Sequence, residues 1–366
     1  MRVLLLGEYS NVHWTLSEGL RALGHEVCVV SNGDFWKNYQ RDISLVRNTA
    51  SKMGTLSYFA KVIAALSRMR GYDVVQLINP MFLELKAERI WPVYRYLRRN
   101  NGKLFLGAFG MDYYWVNVCR TTNTFRYSDF NFGDRLRDDA IAMCEVVDWI
   151  GTEKGELNQA IASDCDGIIA GLYEYYECYR LSFSEKTVFI PFPINVDKIK
   201  FIAPPVGDKV RFFIGVQKER GVYKGTDVML RALERVYEKY PDKCEIVKAE
   251  SVPYPLYCTM MDSSNVLLDQ LYSYTPAMNG LLAMAKGLVL VGGGEEENYD
   301  ILGEKEMRPI VNVLPDEGDV YHKLEQLVLH PEMIVKMSRD SRSYIEKYHD
   351  YRKVAERYVE FWNECK

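Results

Sequence analysis

The sequence predicts an α/β protein with two doubly wound, largely parallel sheets. Three observations carry this: short apolar runs that end at glycine or in loops, helical stretches regularly spaced between them, and a proline-rich break half-way along the chain. Arg2–Leu6 (RVLLL) is apolar enough for a strand buried on both faces and stops at Gly7. A helix over His13–Leu23, closed by Gly24, returns to a strand at His25–Ser31, which completes a βαβ unit. Helices near Leu56–Arg70 and Lys86–Arg99 then alternate with strands at Asp73–Ile78 and Lys103–Leu106. The apolar runs Val146–Trp149, Gly167–Ala170 and Val188–Ile190 suit further strands of this half.

Prolines cluster in Pro191–Asp197 and Ala203–Gly207, as expected of a connection between folded halves. A second alternation follows, with strands at Val210–Ile214, Cys244–Val247, Asn265–Leu268, Leu288–Val291 and Ile310–Val313. Its helices lie near Thr226–Tyr240, Gly280–Lys286 and Val320–Leu329, and Glu332–Asn363 forms a long amphipathic helical stretch broken around Lys347–Asp350. The expected division is a first domain over residues 1–195, a second over 196–345 and a closing helix over 346–366.

With 48% hydrophobic and 26% charged residues the chain is globular, and a net charge of −4 argues against a general nucleic-acid binder. Eight scattered cysteines with no CxxC pair suit reduced thiols and a cytoplasmic setting. No apolar stretch reaches the length of a membrane span, and the first strand is too short for a signal peptide. Arg89–Lys103 holds five basic residues and no acidic one among Trp91, Tyr94 and Tyr96, a pattern open to a basic helix face or to contact with an anionic bilayer surface.

Leu267–Glu297 is the stretch richest in site signals. Its loop Tyr274–Asn279 leads into a helix start near Gly280, where free N–H groups and the helix dipole favour an anion. Gly292–Gly294 allow close backbone approach to a ligand, ahead of the acidic tip Glu295–Glu297. Lys224, Arg220 and Lys218 are cations beside a Lys-Gly helix opening, suited to phosphate. After the strand at Lys103–Leu106, Asp112 stands among Tyr113, Tyr114 and Trp115, a pattern equally suited to an acceptor-orienting acid or to a capping Asp in an aromatic core. Tyr173–Tyr179 forms another aromatic cluster, equally suited to lining an acceptor groove or to an exposed aromatic helix face packed on a neighbour.

These stretches resemble a known family. Phe212–Leu233 (FFIGVQKERGVYKGTDVMLRAL) looks like the donor-domain opening of the retaining family 4 glycosyltransferases, and DQLYSYTPAMNGLLAMAKGLVLVGG resembles their sugar-nucleotide loop. Gly24–Val27, the IPFPINVD connection and the closing YHDYRKVAERYVEFW helix match in order and spacing. The resemblance implies a GT-B architecture: two Rossmann-like domains across a cleft, with the acceptor on the first, the donor on the second, and the last helix crossing back to the first. It implies transfer of a sugar from a nucleotide diphosphate sugar to a glycan or lipid-linked glycan, with retention and without a metal, in surface polysaccharide synthesis. Asp112, Arg220 and Lys224 take the catalytic roles it implies. Lys218, Arg220, Lys224, Thr275, Ala277, Met278, Asn279, Gly280, Leu281 and Glu295 line the donor, and Glu8, Tyr9, His13, Asp112 and Tyr113 the acceptor side.

Two departures stand out. The family's Glu-x7-Glu pair falls on Tyr274 and Leu282, so both carboxylates are missing, and Glu295, Glu296 or Glu297 on the next loop is open to being a substitute or, the more ordinary reading, a solvated acidic tip. Gly7–Ser10 replaces the usual paired glycines and puts Glu8 and Tyr9 where a phosphate or acceptor normally sits. A degenerate relative, a sugar- or nucleotide-binding protein or a partner subunit without catalysis, is the alternative these losses favour. Another GT-B enzyme, such as a sugar-nucleotide epimerase, requires His and carboxylates on both cleft walls, and only five His are present.

Overall fold

The computed structural model describes residues 1–49, 51–216 and 221–365. In chain order the first half contains β1 (Arg2–Leu6), α1 (Val12–Ala22), β2 (Glu26–Ser31), β3 (Ile43–Ser44), α2 (Lys52–Leu66), β4 (Val74–Leu77), α3 (Ala87–Asn100) and β5 (Lys103–Ala108). It continues with α4 (Tyr113–Thr121), a two-stranded hairpin β6 (Asn131–Phe132) and β7 (Arg135–Leu136), α5 (Ala140–Trp149), α6 (Glu153–Asp164), β8 (Gly167–Ala170), α7 (Tyr173–Phe183) and β9 (Thr187–Phe189). The second half runs β10 (Val210–Val216), α8 (Gly221–Lys224), α9 (Thr226–Lys239), β11 (Cys244–Glu250), α10 (Tyr254–Asp262), β12 (Val266–Leu268), α11 (Met278–Lys286) and β13 (Val289–Gly292). It closes with α12 (Glu296–Leu302), β14 (Ile310–Asn312), α13 (Glu317–Leu329), α14 (Glu332–Tyr348) and α15 (Tyr351–Glu364).

Two compact units emerge. One comprises residues 1–118, 144–193 and 351–366, and the other 119–143 and 194–350. The first holds a seven-stranded sheet in the order β3-β2-β1-β4-β5-β8-β9, every neighbouring pair parallel. Val3–Leu6 are fully buried at its centre, which is why that strand is a continuous apolar run rather than an alternating one. The last helix packs on α1, where Gly19 is required: a Cβ there would lie 2.2 Å from the Tyr351 carbonyl oxygen and 2.8 Å from Ala355 Cβ. Val354, Ala355, Tyr358 and Trp362 form the buried stripe of α15, and Lys103 Nζ donates to the Trp362 carbonyl at 2.8 Å. Each large side chain in that stripe contributes roughly 1.5–3 kcal/mol.

The second unit holds a five-stranded parallel sheet in the order β11-β10-β12-β13-β14. Its core packs Phe212, Ile214, Leu268 and Val291 of the strands against Met229, Leu233 and Leu324 of α9 and α13. Segment 119–143, contributed from the first half of the sequence, completes this unit.

One predicted strand is not one. Val146–Trp149 is the last turn of α5, with Trp149 buried and Val147 fully outward. The helical period of Ala140–Cys144 carries through it, and a four-residue stretch with Asp148 inside it has no length of its own to specify a strand. Among the described residues, no helix is long and apolar enough to cross a membrane.

Candidate functional site

In an open parallel sheet, ligands bind outside the carboxyl ends of the strands where the winding reverses. In the second unit that point lies between β10 and β12, since β11 flanks β10 on one side and β12–β14 follow on the other. Lys218 and Arg220, expected here, lie outside the described residues. Lys224 ends α8 beside the loop after β12, and its carbonyl accepts from Leu271 N–H at 3.0 Å. The glycine after it has two reasons to be glycine. Gly225 has φ of 73°, and a Cβ there would lie 2.6 Å from Leu271 Cβ and 2.8 Å from Tyr272 Cζ.

The other wall is the start of α11. Asp269, directly after β12, accepts from the Gly280 N–H and from Asn279 Nδ2 at 3.2 Å, while Tyr257 donates to Asn279 Oδ1 at 3.0 Å. Burial raises the pKa of Asp269, against the pull of the Lys224 charge and of these donors. An internal carboxylate thus already occupies part of the helix N-terminus. Ala277 is the N-cap, and Ala277, Met278 and Asn279 remain half-buried at the first turn. Gly280 is buried, with the missing Cβ facing Leu290 Cδ2 at 2.9 Å, and Thr275 is buried in the loop. Leu281 is corrected from a lining residue to a core residue: it is fully buried and its N–H closes the helix on Ala277.

Two glycines of the run Gly292–Gly294 are taken up by internal packing. A Cβ on Gly293 would lie 2.3 Å from the Ser273 carbonyl oxygen, and one on Gly294 2.7 Å from Ile310 Cγ2, so these glycines seat the loop on its neighbours. Segment 119–143 then straps across. Tyr274 is buried, its hydroxyl accepting from the Arg126 N–H at 2.7 Å, with the Arg126 guanidinium 4.8 Å above its ring and the Tyr127 ring 4.9 Å away. Glu295 is buried and accepts from Tyr127 OH at 2.6 Å, Asn312 Nδ2 at 2.9 Å and Arg126 at 2.9 Å. Arg126 also pairs with Glu297; burial pushes that carboxyl up, and the Arg126 bonds outweigh it, leaving its pKa below the ordinary value. Arg137 fastens the other end of the strap, donating to the Val222 carbonyl of α8 at 3.0 Å and lying 4.2 Å over Tyr272. Glu295 is therefore held by internal partners rather than offered to a ligand.

In the first unit the reversal lies between β1 and β4. Glu8 follows β1 and is buried, each carboxylate oxygen accepting one N–H of the α1 start, His13 at 3.2 Å and Trp14 at 2.9 Å. Burial pushes its pKa up to about 8, against those two donors. His13 is fully buried, its Nδ1 2.9 Å from the Gly7 carbonyl oxygen, and burial lowers its pKa to about 3. Tyr9 is half-buried against Gly110, where a Cβ would come within 3.2 Å of the ring.

Asp112 caps α4: it accepts from Trp115 N–H at 2.9 Å and from Tyr179 OH at 2.8 Å, and burial raises its pKa to about 6. It is fully buried, so the expected acceptor-orienting acid is instead a helix cap. Tyr113 N–H donates to Asn158 Oδ1 at 3.0 Å, and Tyr179, from the Tyr173–Tyr179 cluster, is core.

No protein-family model matches the chain, and no curated protein does. Solved structures do. Sucrose-phosphate synthase from Thermosynechococcus elongatus superimposes over 100% of this chain and 98% of its own at a TM-score of 0.60, with 12% identity. HepE from Anabaena does so over 98% of both chains at 0.59, with 10% identity, and a Rickettsia africae glycosyltransferase over 100% and 98% at 0.58, with 13%. The fold is GT-B.

Within this GT-B chain the expected residues separate into two sets. Lys224, Ala277, Met278 and Asn279 lie on the loops and helix that follow β10 and β12. Glu8, His13, Asp112, Leu281 and Glu295 are consumed by capping, core packing or the strap. Asp269, Arg126, Tyr127 and Asn312 are the residues sequence reasoning missed. Asp269 carries a usable signal, an acid immediately after a buried strand and ten residues before Asn279; for Arg126 the only hint is its place between Phe125 and Tyr127.

Proposed function

We propose that this chain is a glycosyltransferase that takes its sugar from a nucleotide diphosphate sugar, bound at the β10/β12 switch point. The observation that carries the reading is the pairing of a cation, Lys224, with the first turn of α11 at that point. Both are groups that stabilise the charge growing on a diphosphate as the sugar leaves. The fold is one that accommodates such ligands: HepE was solved with UDP and with UDP-glucose, and TarM from S. aureus with UDP and α-GlcNAc-glycerol. Arg220 and Lys218 belong to the same proposal.

With Asp112 buried as a cap, no protein carboxylate is assigned as base. Retention then proceeds by front-face attack. The bond from the anomeric carbon to the phosphate oxygen breaks, the acceptor oxygen bonds to the same face, and its proton passes to the departing phosphate. The acceptor is a glycan or lipid-linked glycan, the setting surface polysaccharide synthesis, and the location cytoplasmic at the inner face of a membrane. No metal is assigned a role.

A non-catalytic nucleotide-sugar-binding protein is the second reading, favoured by the internal engagement of Glu8, Asp112 and Glu295. Calorimetry against UDP, GDP, ADP and TDP and their sugars separates the outcomes, followed by an assay for nucleotide release from whichever sugar binds. Micromolar binding lost in Lys224→Ala, with release of nucleotide, supports the transferase. Binding without release in the presence of glycan acceptors selects the second reading. No response to any nucleotide from folded protein removes the transferase and favours a degenerate relative that acts as a partner subunit.

A further inference from the structure

The basic helix that the sequence offers for membrane contact is not built for it. On α3, Tyr94 is buried and donates to Asp164 at 2.6 Å, Tyr96 donates to the Leu66 carbonyl at 3.1 Å, and Trp91 stacks on Tyr94. Arg98 pairs with Asp166 and Lys103 with carbonyl oxygens of the last helix. No large hydrophobic side chain of α3 is exposed.

Its neighbour α2 is the opposite case. Tyr58, Val62 and Ala65 bury its inner face. The outer face carries Met53 at 83% exposure, Leu56 at 70% and Ile63 at 50%, with Ala60 exposed between them and Ala64 just beyond. These positions recur every three or four residues and so form one stripe along about three turns of helix. A surface helix normally turns charged residues outward; here the stripe itself carries no charge. Its surroundings are basic: residues 45–72 contain Arg47, Lys52, Lys61, Arg68 and Arg70 and not one acid, in a chain of net charge −4. Across the contact with α3, Arg89 lies 5.9 Å over the Phe59 ring, and Arg95 and Arg99 are exposed, with Glu88 the exposed acid of that helix.

We propose that α2 is a membrane-docking helix that lays Met53, Leu56 and Ile63 into the interface of an anionic phospholipid bilayer, with the flanking cations on the headgroups. An apolar stripe alone fits many partners. One bordered on both sides by cations, in an acidic protein, fits a surface that is apolar within and negative at its rim. This deepens the proposed reading, since a lipid-linked acceptor is reached only at a bilayer, but its test does not depend on transfer activity.

The test is flotation of the full chain with vesicles of phosphatidylcholine alone and of phosphatidylcholine mixed with phosphatidylglycerol. Two variants are compared, Leu56→Glu/Ile63→Glu and Lys61→Glu/Arg68→Glu/Arg70→Glu, with thermal melting as the folding control and light scattering for oligomeric state. The expected result is binding to anionic vesicles that weakens in high salt. Each variant should reduce it by about tenfold or more while melting like the parent. Absence of flotation overturns the proposal, as does flotation that neither variant changes. A wild-type dimer dispersed by Leu56→Glu/Ile63→Glu, without vesicle binding, assigns the stripe to a second copy and overturns it too. Vesicle binding without nucleotide binding would leave the docking helix standing and remove the transferase.

Discussion

Replacing Arg126 by Met keeps an apolar stem over the Tyr274 ring and removes the charge that ties the strap to Glu295 and Glu297. The Glu295 side chain is 11% exposed and keeps two neutral donors, Tyr127 OH and Asn312 Nδ2. Hydrogen bonds to a charged group contribute about 1.5–3 kcal/mol, and exposed ion pairs about 0–1 kcal/mol. The Arg126 side chain is 54% exposed, so solvent screens its half of the pair and the loss falls between these ranges, at about 1.4 kcal/mol. That corresponds to an opening equilibrium of the strap about tenfold larger. Native-state hydrogen exchange reads it directly, with the amides of residues 124–137 as reporters and those of β10, β12 and β13 as internal controls. Unchanged exchange in 124–137 would mean that Phe125 and Tyr127 hold the strap by packing alone and would refute a role for the Arg126 charge. An equal loss of protection through the sheet would refute it too, since Arg126 would then support the whole unit.

Two further outcomes follow from the geometry. The buried carboxyl of Glu8 has a folded pKa of about 8 against 4.5 in the unfolded chain, so its favourable contribution is complete below about 4.5 and is lost as pH rises to about 8. Denaturant unfolding of wild type and Glu8→Gln should show a stability difference that shifts toward the variant by up to about 1.4 kcal/mol per pH unit across that window; a difference that stays flat between those pH values refutes the assignment. Gly225→Ala places a Cβ at positive φ and against Leu271, and should destabilise the second unit by about 2–4 kcal/mol while abolishing any nucleotide binding. A variant that melts and binds like the parent would show that the Lys-Gly turn is not what positions Lys224.

The sheets were legible because a strand buried on both faces has to be continuously apolar, and β1, β12 and β13 announce themselves in that way. The run at Val146–Trp149 is apolar except for Asp148 and sits in register with a preceding helical period, and three apolar residues alone do not separate a strand from a helix turn. The site was legible only in its glycines and cations. Asp112, Glu8 and Asp269 show why: a carboxylate that caps a helix and one that meets a substrate have the same letter and the same place after a strand. Only the atoms around them separate the roles. The strap was invisible for a different reason. Arg126 and Glu295 lie 169 positions apart, and neither flank of the segment has a period or turn that points to its partner.

The return of α15 to the first unit has a consequence for how the chain matures. The face of α1 around Gly19 is made before residues 119–350, yet the helix that covers it is made after them. Everything needed for the second unit, residues 119–143 and 194–350, leaves the ribosome earlier. The half of the protein that is synthesised later is therefore the half that can be finished first. Until residue 351 and those after it appear, the N-terminal sheet waits with an uncovered apolar wall, open to chaperones and to other nascent chains.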